Sequence, residues 1–233
     1  MISNQFENGV KFPLLIVNFK TYQTAYGKNG IRLAKYIDKI SIQKNLNSMI
    51  AAQPSDIFRI SKITKSAIVI SQHIDPVDFG TFTGSILPES VMENGAKGTL
   101  LNHSERRLDF ETLTKAVKRA KAVGLLTIVC AQDDNAAEKI SALEPDIISV
   151  EPPELISTGI AVSQARPEVI TKTLEKTGDI PVLCGAGIRT AEDVRRALEL
   201  GAKGILIASG VTLAKNPKKY LLELCKGFDG HLI

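Results

Sequence analysis

The sequence predicts a closed (β/α)8 barrel, short in form and single in domain, and three observations carry that reading. Eight short apolar, β-branched runs alternate with longer stretches of helical period, the pattern of a parallel sheet covered by helices. The tetrapeptide Gly-Ala-Lys-Gly occurs at 95–98 and again at 201–204, leading into the fourth and the eighth run. An offset of four units suits a barrel built from two halves. No linker rich in Gly, Ser or Pro divides the chain, so a second domain is not expected. An open doubly wound sheet is the structural alternative.

The elements follow in order. Residues 1–12 are polar, lack the apolar stretch of a signal peptide and read as a loose tail, leaving 13–233 for the barrel. The first runs are Leu14–Val17, Met49–Ala52, Ala67–Ile70 and Thr99–Leu101. Between the last of these and Leu125–Val129, Phe110, Leu113, Val117 and Ala120 recur three or four apart, so 109–123 is predicted as a helix with those residues inward. Ile147–Val150 and Pro181–Leu183 are the sixth and seventh runs. Thr190 and Asp193 form a capping box for a helix that Gly201 closes, and Ile205–Ile207 is the eighth strand.

Composition narrows the function. With 44% hydrophobic and 23% charged residues in 233, the chain can bury a core, and its longest apolar runs, five or six residues, are far short of a membrane span. The 29 basic and 25 acidic residues leave a net charge of +4 spread along the chain, and 5% is aromatic. That is not the concentrated basic patch of a nucleic-acid binder, and it suits small anionic substrates. Cys130, Cys184 and Cys225 are odd in number and show no C-x-x-C spacing, so neither a disulfide framework nor a zinc site is expected and the compartment reads as reducing. His73, His103 and His231 are far apart, and no metal is expected.

Barrel enzymes carry their chemistry just past the C-terminal ends of the strands. Asn18-Phe19-Lys20 follows the first strand, Asn102-His103-Ser104-Glu105-Arg106-Arg107 the fourth and Glu151-Pro152-Pro153 the sixth. Singly, Lys20 reads as a solvated loop lysine, His103 as a helix cap and Glu151 as a turn residue. Together they bring a cation, an imidazole and a carboxylate to one mouth. A lysine after the sixth strand would suggest Schiff-base chemistry, whereas Glu151 favours proton abstraction. After strands seven and eight, Cys184-Gly185-Ala186-Gly187-Ile188 and Ala208-Ser209-Gly210-Val211 place small residues that either expose backbone N–H groups to a phosphate or merely permit tight turns. No Walker or dinucleotide motif is present, so a nucleotide is not implied.

These segments, with Glu151 to Gly159 as a whole, resemble the signature segments of the triosephosphate isomerases in their short archaeal form, in register from Pro13 nearly to the C-terminus. The resemblance implies a TIM barrel that interconverts dihydroxyacetone phosphate and glyceraldehyde 3-phosphate without a cofactor, in glycolysis and gluconeogenesis and in the cytoplasm. It makes Glu151 the base, His103 a neutral electrophile, Lys20 the electrostatic partner of the oxyanion and Asn18 a further hydrogen-bonding group. It places Asn18, Phe19, Lys20, Ile156, Ser157, Gly187, Ala208 and Ser209 at the substrate, with Pro152 to Gly159 as a lid. Ser157 departs from the glycine usual there, and the short chain implies outer helices trimmed or missing. The long loop Gln72 to Leu87, with Phe79 and Phe82, resembles one that enters a neighbouring subunit, which implies a homo-oligomer, a tetramer rather than a dimer. Neither nucleic acid nor membrane is an expected partner. Another phosphate-binding barrel enzyme, or a non-catalytic phosphosugar binder, would share the phosphate turns but not the trio Lys20, His103 and Glu151.

Overall fold

A computed structural model describes residues 10–152 and 161–232. Eight parallel strands close into a barrel in chain order: β1 (Leu14–Asn18), β2 (Asn47–Ala52), β3 (Ile68–Ser71), β4 (Gly98–Leu101), β5 (Leu126–Ala131), β6 (Ile147–Val150), β7 (Val182–Gly185) and β8 (Gly204–Ile207). The circle is completed where β8 pairs with β1, Leu14 opposite Gly204 and Val17 opposite Ile207. All eight expected strands are present, with ends shifted by one or two residues. The described helices are α1 (Gly27–Lys44), α2 (Pro54–Ser61), α3 (Pro88–Glu93), α4 (Phe110–Ala122), α5 (Asp134–Ser141), α6 (Val162–Ala165), α7 (Pro167–Thr177), α8 (Ala191–Glu199), α9 (Ser209–Thr212) and α10 (Pro217–Leu224). The economy in length therefore comes from trimming, not omission: every strand is followed by a helix, but α3 has six residues and α2 and α5 have eight each.

Alternation along the strands sorts the core into two layers, because successive side chains point to opposite faces. Leu14, Ile16, Met49, Leu100, Ile128 and Leu183 fill the barrel interior. Leu15, Val17, Ile50, Val129, Ile148 and Val182 face the helices. Val10, 2% exposed, also packs into the interior layer, so the loose tail expected through residue 12 does not extend to it. In α4, Leu113, Val117 and Ala120 are buried as the helical period requires, but Phe110 is exposed. Phe110 is the first residue of the helix, and a side chain there leans back past the helix start, away from the sheet.

The Gly-Ala-Lys-Gly repeat has one structural job, done twice. Gly95 and Gly201 take positive φ, 103° and 101°, to leave their helices. Ala96 and Ala202 donate back to the Val91 and Ala197 carbonyls, and the Lys97 and Lys203 carbonyls accept from Leu126 and Leu14 at the start of the next strand, 3.0 Å each. The same wiring four units apart is the half-barrel symmetry that the sequence suggests.

Candidate active site

Strand parity aims the first group of residues. Asn18 continues the inward series Leu14, Ile16, whereas Phe19 continues the outward series Leu15, Val17. Phe19 is accordingly 0% exposed in the helix-facing core, which corrects its expected place at the substrate: its ring packs away from the cleft. Lys20 then has φ 46°, in the left-handed region, and this bend is held from three sides. Asn18 Oδ1 accepts its backbone N–H at 2.9 Å, and its carbonyl accepts from Gln53 Nε2 at 3.1 Å and Gln72 Nε2 at 3.0 Å. Holding an unfavourable backbone well takes such surroundings. Asn18 thus positions Lys20, whose Nζ donates to Glu105 Oε1 at 2.8 Å.

On β4, alternation alone would send His103 outward. Asn102 reverses this with φ 56°. Its side chain secures the reversal: Nδ2 donates to the Cys130 carbonyl at 2.9 Å and Oδ1 accepts from Leu108 N–H at 3.0 Å, while Arg107 donates to its carbonyl at 3.1 Å. His103 Nδ1 accepts the backbone N–H of Glu105 at 3.2 Å. An imidazole nitrogen that accepts carries no proton, so the neutral ring carries its proton on Nε2. That nitrogen lies 3.6 Å from Glu151 Oε2.

Glu151 follows the inward residues Ile147 and Ser149 by the same parity, and its N–H is held by the Ala131 carbonyl at 2.8 Å. It is 4% exposed, and Oε2 is buried without a hydrogen-bond partner among the described residues. Burial pushes its carboxyl above the ordinary carboxylate value, while Lys20, a hydrogen bond from the Cys130 thiol and Arg107 pull the other way. The Cys130 thiol is itself pushed well up, chiefly by burial and then by Glu151, so it stays a donor. The carboxylate fits only because residue 185 is glycine: a Cβ there would lie 2.3 Å from Glu151 Cγ. Cys130 is a neighbour that the motifs do not flag, and Gly185, flagged only as part of a turn after β7, makes room for the carboxylate as well. Inward parity along β5 (Leu126, Ile128, Cys130) was the available signal for the first.

Lys20, His103, Glu151, Gly187, Ala208 and Ser209 line one cleft, of about 580 Å³ including its open mouth. Ile188, Arg189 and Gly210 line it too, and of these Arg189 has no counterpart in the sequence reading. Ala186 and Gly187 both have positive φ, 65° and 73°, which turns the chain sharply after β7. Asn18 lines an adjoining space with Gln53, Gln72 and Glu105, beside Lys20 and His103. Pro152 is buried. The rest of the expected lid, Ile156 and Ser157 included, lies outside the described residues.

A buried carboxylate with one unpartnered oxygen facing an imidazole N–H, with a lysine on the same wall, can take a proton from carbon while polarising a neighbouring carbonyl. A family model described as triosephosphate isomerase matches residues 13–227. A triosephosphate isomerase of Methanobacterium bryantii is 45% identical over 216 residues, 91% of this chain and 95% of that protein. One of Methanocaldococcus jannaschii is 44% identical over 217 residues, 91% of this chain and 99% of that protein. Among solved structures, a triosephosphate isomerase of Bartonella henselae superposes with a TM-score of 0.69 over 93% of this chain and 98% of its own, and at 20% identity it speaks for the fold. Matched from its first strand almost to its C-terminus, the chain belongs to the triosephosphate isomerase family.

Proposed function

We propose that the chain interconverts dihydroxyacetone phosphate and glyceraldehyde 3-phosphate through an enediolate, with Glu151 as the base. The observation that carries this reading is Glu151 Oε2, buried, unpartnered and 3.6 Å from the imidazole nitrogen that bears the proton. Glu151 takes the proton from the carbon beside the carbonyl and returns it to the neighbouring carbon. His103 Nε2–H donates to the carbonyl oxygen as negative charge develops there and carries a proton between the two enediolate oxygens, so that the hydroxyl of one isomer becomes the carbonyl of the other, and Lys20 adds its positive charge. A placed base contributes about 10² to 10⁴ in rate and one oxyanion donor about 10² to 10³, so the reaction needs both. Gly187, Ala208 and Ser209 anchor the phosphate and hold the reacting carbon against Glu151. Asn18 acts through Lys20, as a positioning residue.

The reading includes a homo-oligomer, a tetramer in preference to a dimer, in a reducing cytoplasm. Supporting the first, Phe79 and Phe82 stand 75% and 47% exposed on the loop between β3 and α3, and Phe58 and Phe110 offer apolar surface elsewhere. Supporting the second, Cys130, Cys184 and Cys225 are free and buried. No described helix is long and apolar enough to cross a membrane. The test is a coupled assay of glyceraldehyde 3-phosphate isomerisation in the presence of EDTA. Turnover that persists there supports the reading, and a protein that binds the substrate without turning it over overturns it.

A further inference from the structure

The wall that carries Ser209 and Gly210 has a second hollow behind it. This groove, about 720 Å³, is lined by Tyr22, Arg189, Leu213, Lys215, Lys219 and Tyr220, and it shares Arg189, Ser209 and Gly210 with the reaction cleft. Its volume is that of a ligand pocket and far exceeds a triose. Its chemistry has two halves. One is flat and apolar: Leu213 is 57% exposed, and the Tyr220 ring is fixed by its hydroxyl, which donates to the Arg189 carbonyl at 2.9 Å. The other is cationic: Arg189, Lys215 and Lys219 converge on the groove, and none of the three forms an ion pair among the described residues. Glu223 also lines the groove, but it is engaged by Lys226 at 2.6 Å. Three cations against one carboxylate, which Lys226 and Lys219 share, leave the groove net positive, next to an aromatic and aliphatic platform.

We infer that this groove is a binding site for a nucleoside phosphate, with the base on Leu213, Tyr22 and Tyr220 and the phosphate against Lys215, Lys219 and Arg189. A flat ring with an attached anion matches both halves, whereas a bare phosphate leaves the platform unused. The chain needs no glycine-rich nucleotide loop for this, because the phosphate is held by side chains. Occupancy reaches the reaction cleft directly. Tyr220 packs on Gly210 so closely that a Cβ at 210 would lie 2.5 Å from its hydroxyl, and Arg189 serves both spaces. Two phosphates on opposite sides of one turn repel each other and compete for Arg189. The nucleotide thus weakens triose phosphate binding, and by linkage the triose phosphate weakens the nucleotide to the same degree.

The experiment titrates the protein with AMP and follows binding by isothermal titration calorimetry. Saturable binding at or below about 1 mM is expected, weakened at least about tenfold in the surface double variant K215E/K219E. That variant keeps its isomerase activity without AMP. AMP raises KM for the triose phosphate at constant kcat in the parent protein and loses this effect in the variant. Ribose 5-phosphate, which lacks the base, binds at least about tenfold more weakly than AMP. Three results overturn the site: no saturation by about 10 mM AMP, equal AMP affinity in parent and variant, or ribose 5-phosphate equal to AMP. Equal affinity in the variant would put AMP in the reaction cleft, and equality of the two ligands would reduce the groove to a general anion surface. Calorimetry reads binding without turnover, so its failure is distinct from failure of the isomerase reading.

Discussion

A carboxylate kept from water and left one hydrogen bond short works against the fold that holds it. Glu151 is in that position, and burial raises its pKa for that reason. A raised folded-state value means that its contribution to stability is fully present below the unfolded pKa and is lost as pH rises through the folded one. Glu151→Gln, which cannot ionise, should therefore raise Tm at neutral pH, by about 2–4 °C for each kcal/mol relieved, while turnover falls by about 10² or more. Differential scanning calorimetry and the coupled assay check the two halves, and a variant both less stable and less active would remove the strain argument. The same raised value places the acid limb of kcat/KM above the ordinary carboxylate range, which a pH profile at constant ionic strength would read. Gly185 offers a separate probe, since a methyl group there meets Glu151 Cγ at 2.3 Å. Gly185→Ala should lower kcat by about tenfold or more through displacement of the carboxylate, with the inhibition constant of inorganic phosphate nearly unchanged. A large loss of phosphate affinity would show instead that the turn after β7 had moved.

Among the elements, α8 ties the Gly187 end of the cleft to its neighbours through one buried acid. Asp193 Oδ2 accepts from the N–H groups of Thr190 at 2.8 Å and Arg189 at 2.9 Å, and Thr190 Oγ1 accepts from Asp193 N–H at 3.2 Å. The capping box written in the sequence is thus present, and Asp193 does more than cap: its Oδ1 also accepts from Gln164 of α6, and its carbonyl from Ser163 of the same helix. Thr190→Ala should cost about 0.5–2 kcal/mol, the usual loss for an N-cap oxygen, seen as a lower denaturation midpoint at an unchanged denaturant slope. Activity at low temperature should survive, because Asp193 still holds the chain after Gly187. A midpoint equal to the parent's would mean that Asp193 caps the helix without Thr190. The Phe110 outcome belongs to this scale as well: period assigns a face to a helix, but the first turn can run past the surface that the face is meant to cover.

At the scale of the molecule, the loop between β3 and α3 is closed at its base by Asp75, whose Oδ2 accepts from Ile86 N–H at 2.7 Å and whose Oδ1 meets His73 Nε2 at 3.1 Å and Arg106 at 3.2 Å. Its aromatic tip projects from that anchored base. Phe79→Ser with Phe82→Ser should shift the protein toward a smaller species in sedimentation equilibrium, with its circular dichroism retained. An unchanged molar mass would show that these two rings hold no subunits together.

Composition and periodicity determined the unit count, the place of each strand to within two residues and the three segments where chemistry belongs, because each of these depends only on near neighbours in the chain. Three features become visible only in the folded chain. Phe19 lies between Asn18 and Lys20 in the chain but apart from the cleft in space, since parity sends its ring into the helix layer. His103 reaches the mouth because Asn102, bonded across to β5, reverses the chain. Cys130 and Gly185 become walls for Glu151 because strands far apart in sequence share one layer. Local pattern specifies which side of a strand a residue takes, but which residues then meet across the ring depends on how eight strands are staggered when they close, and that is a property of the whole sheet.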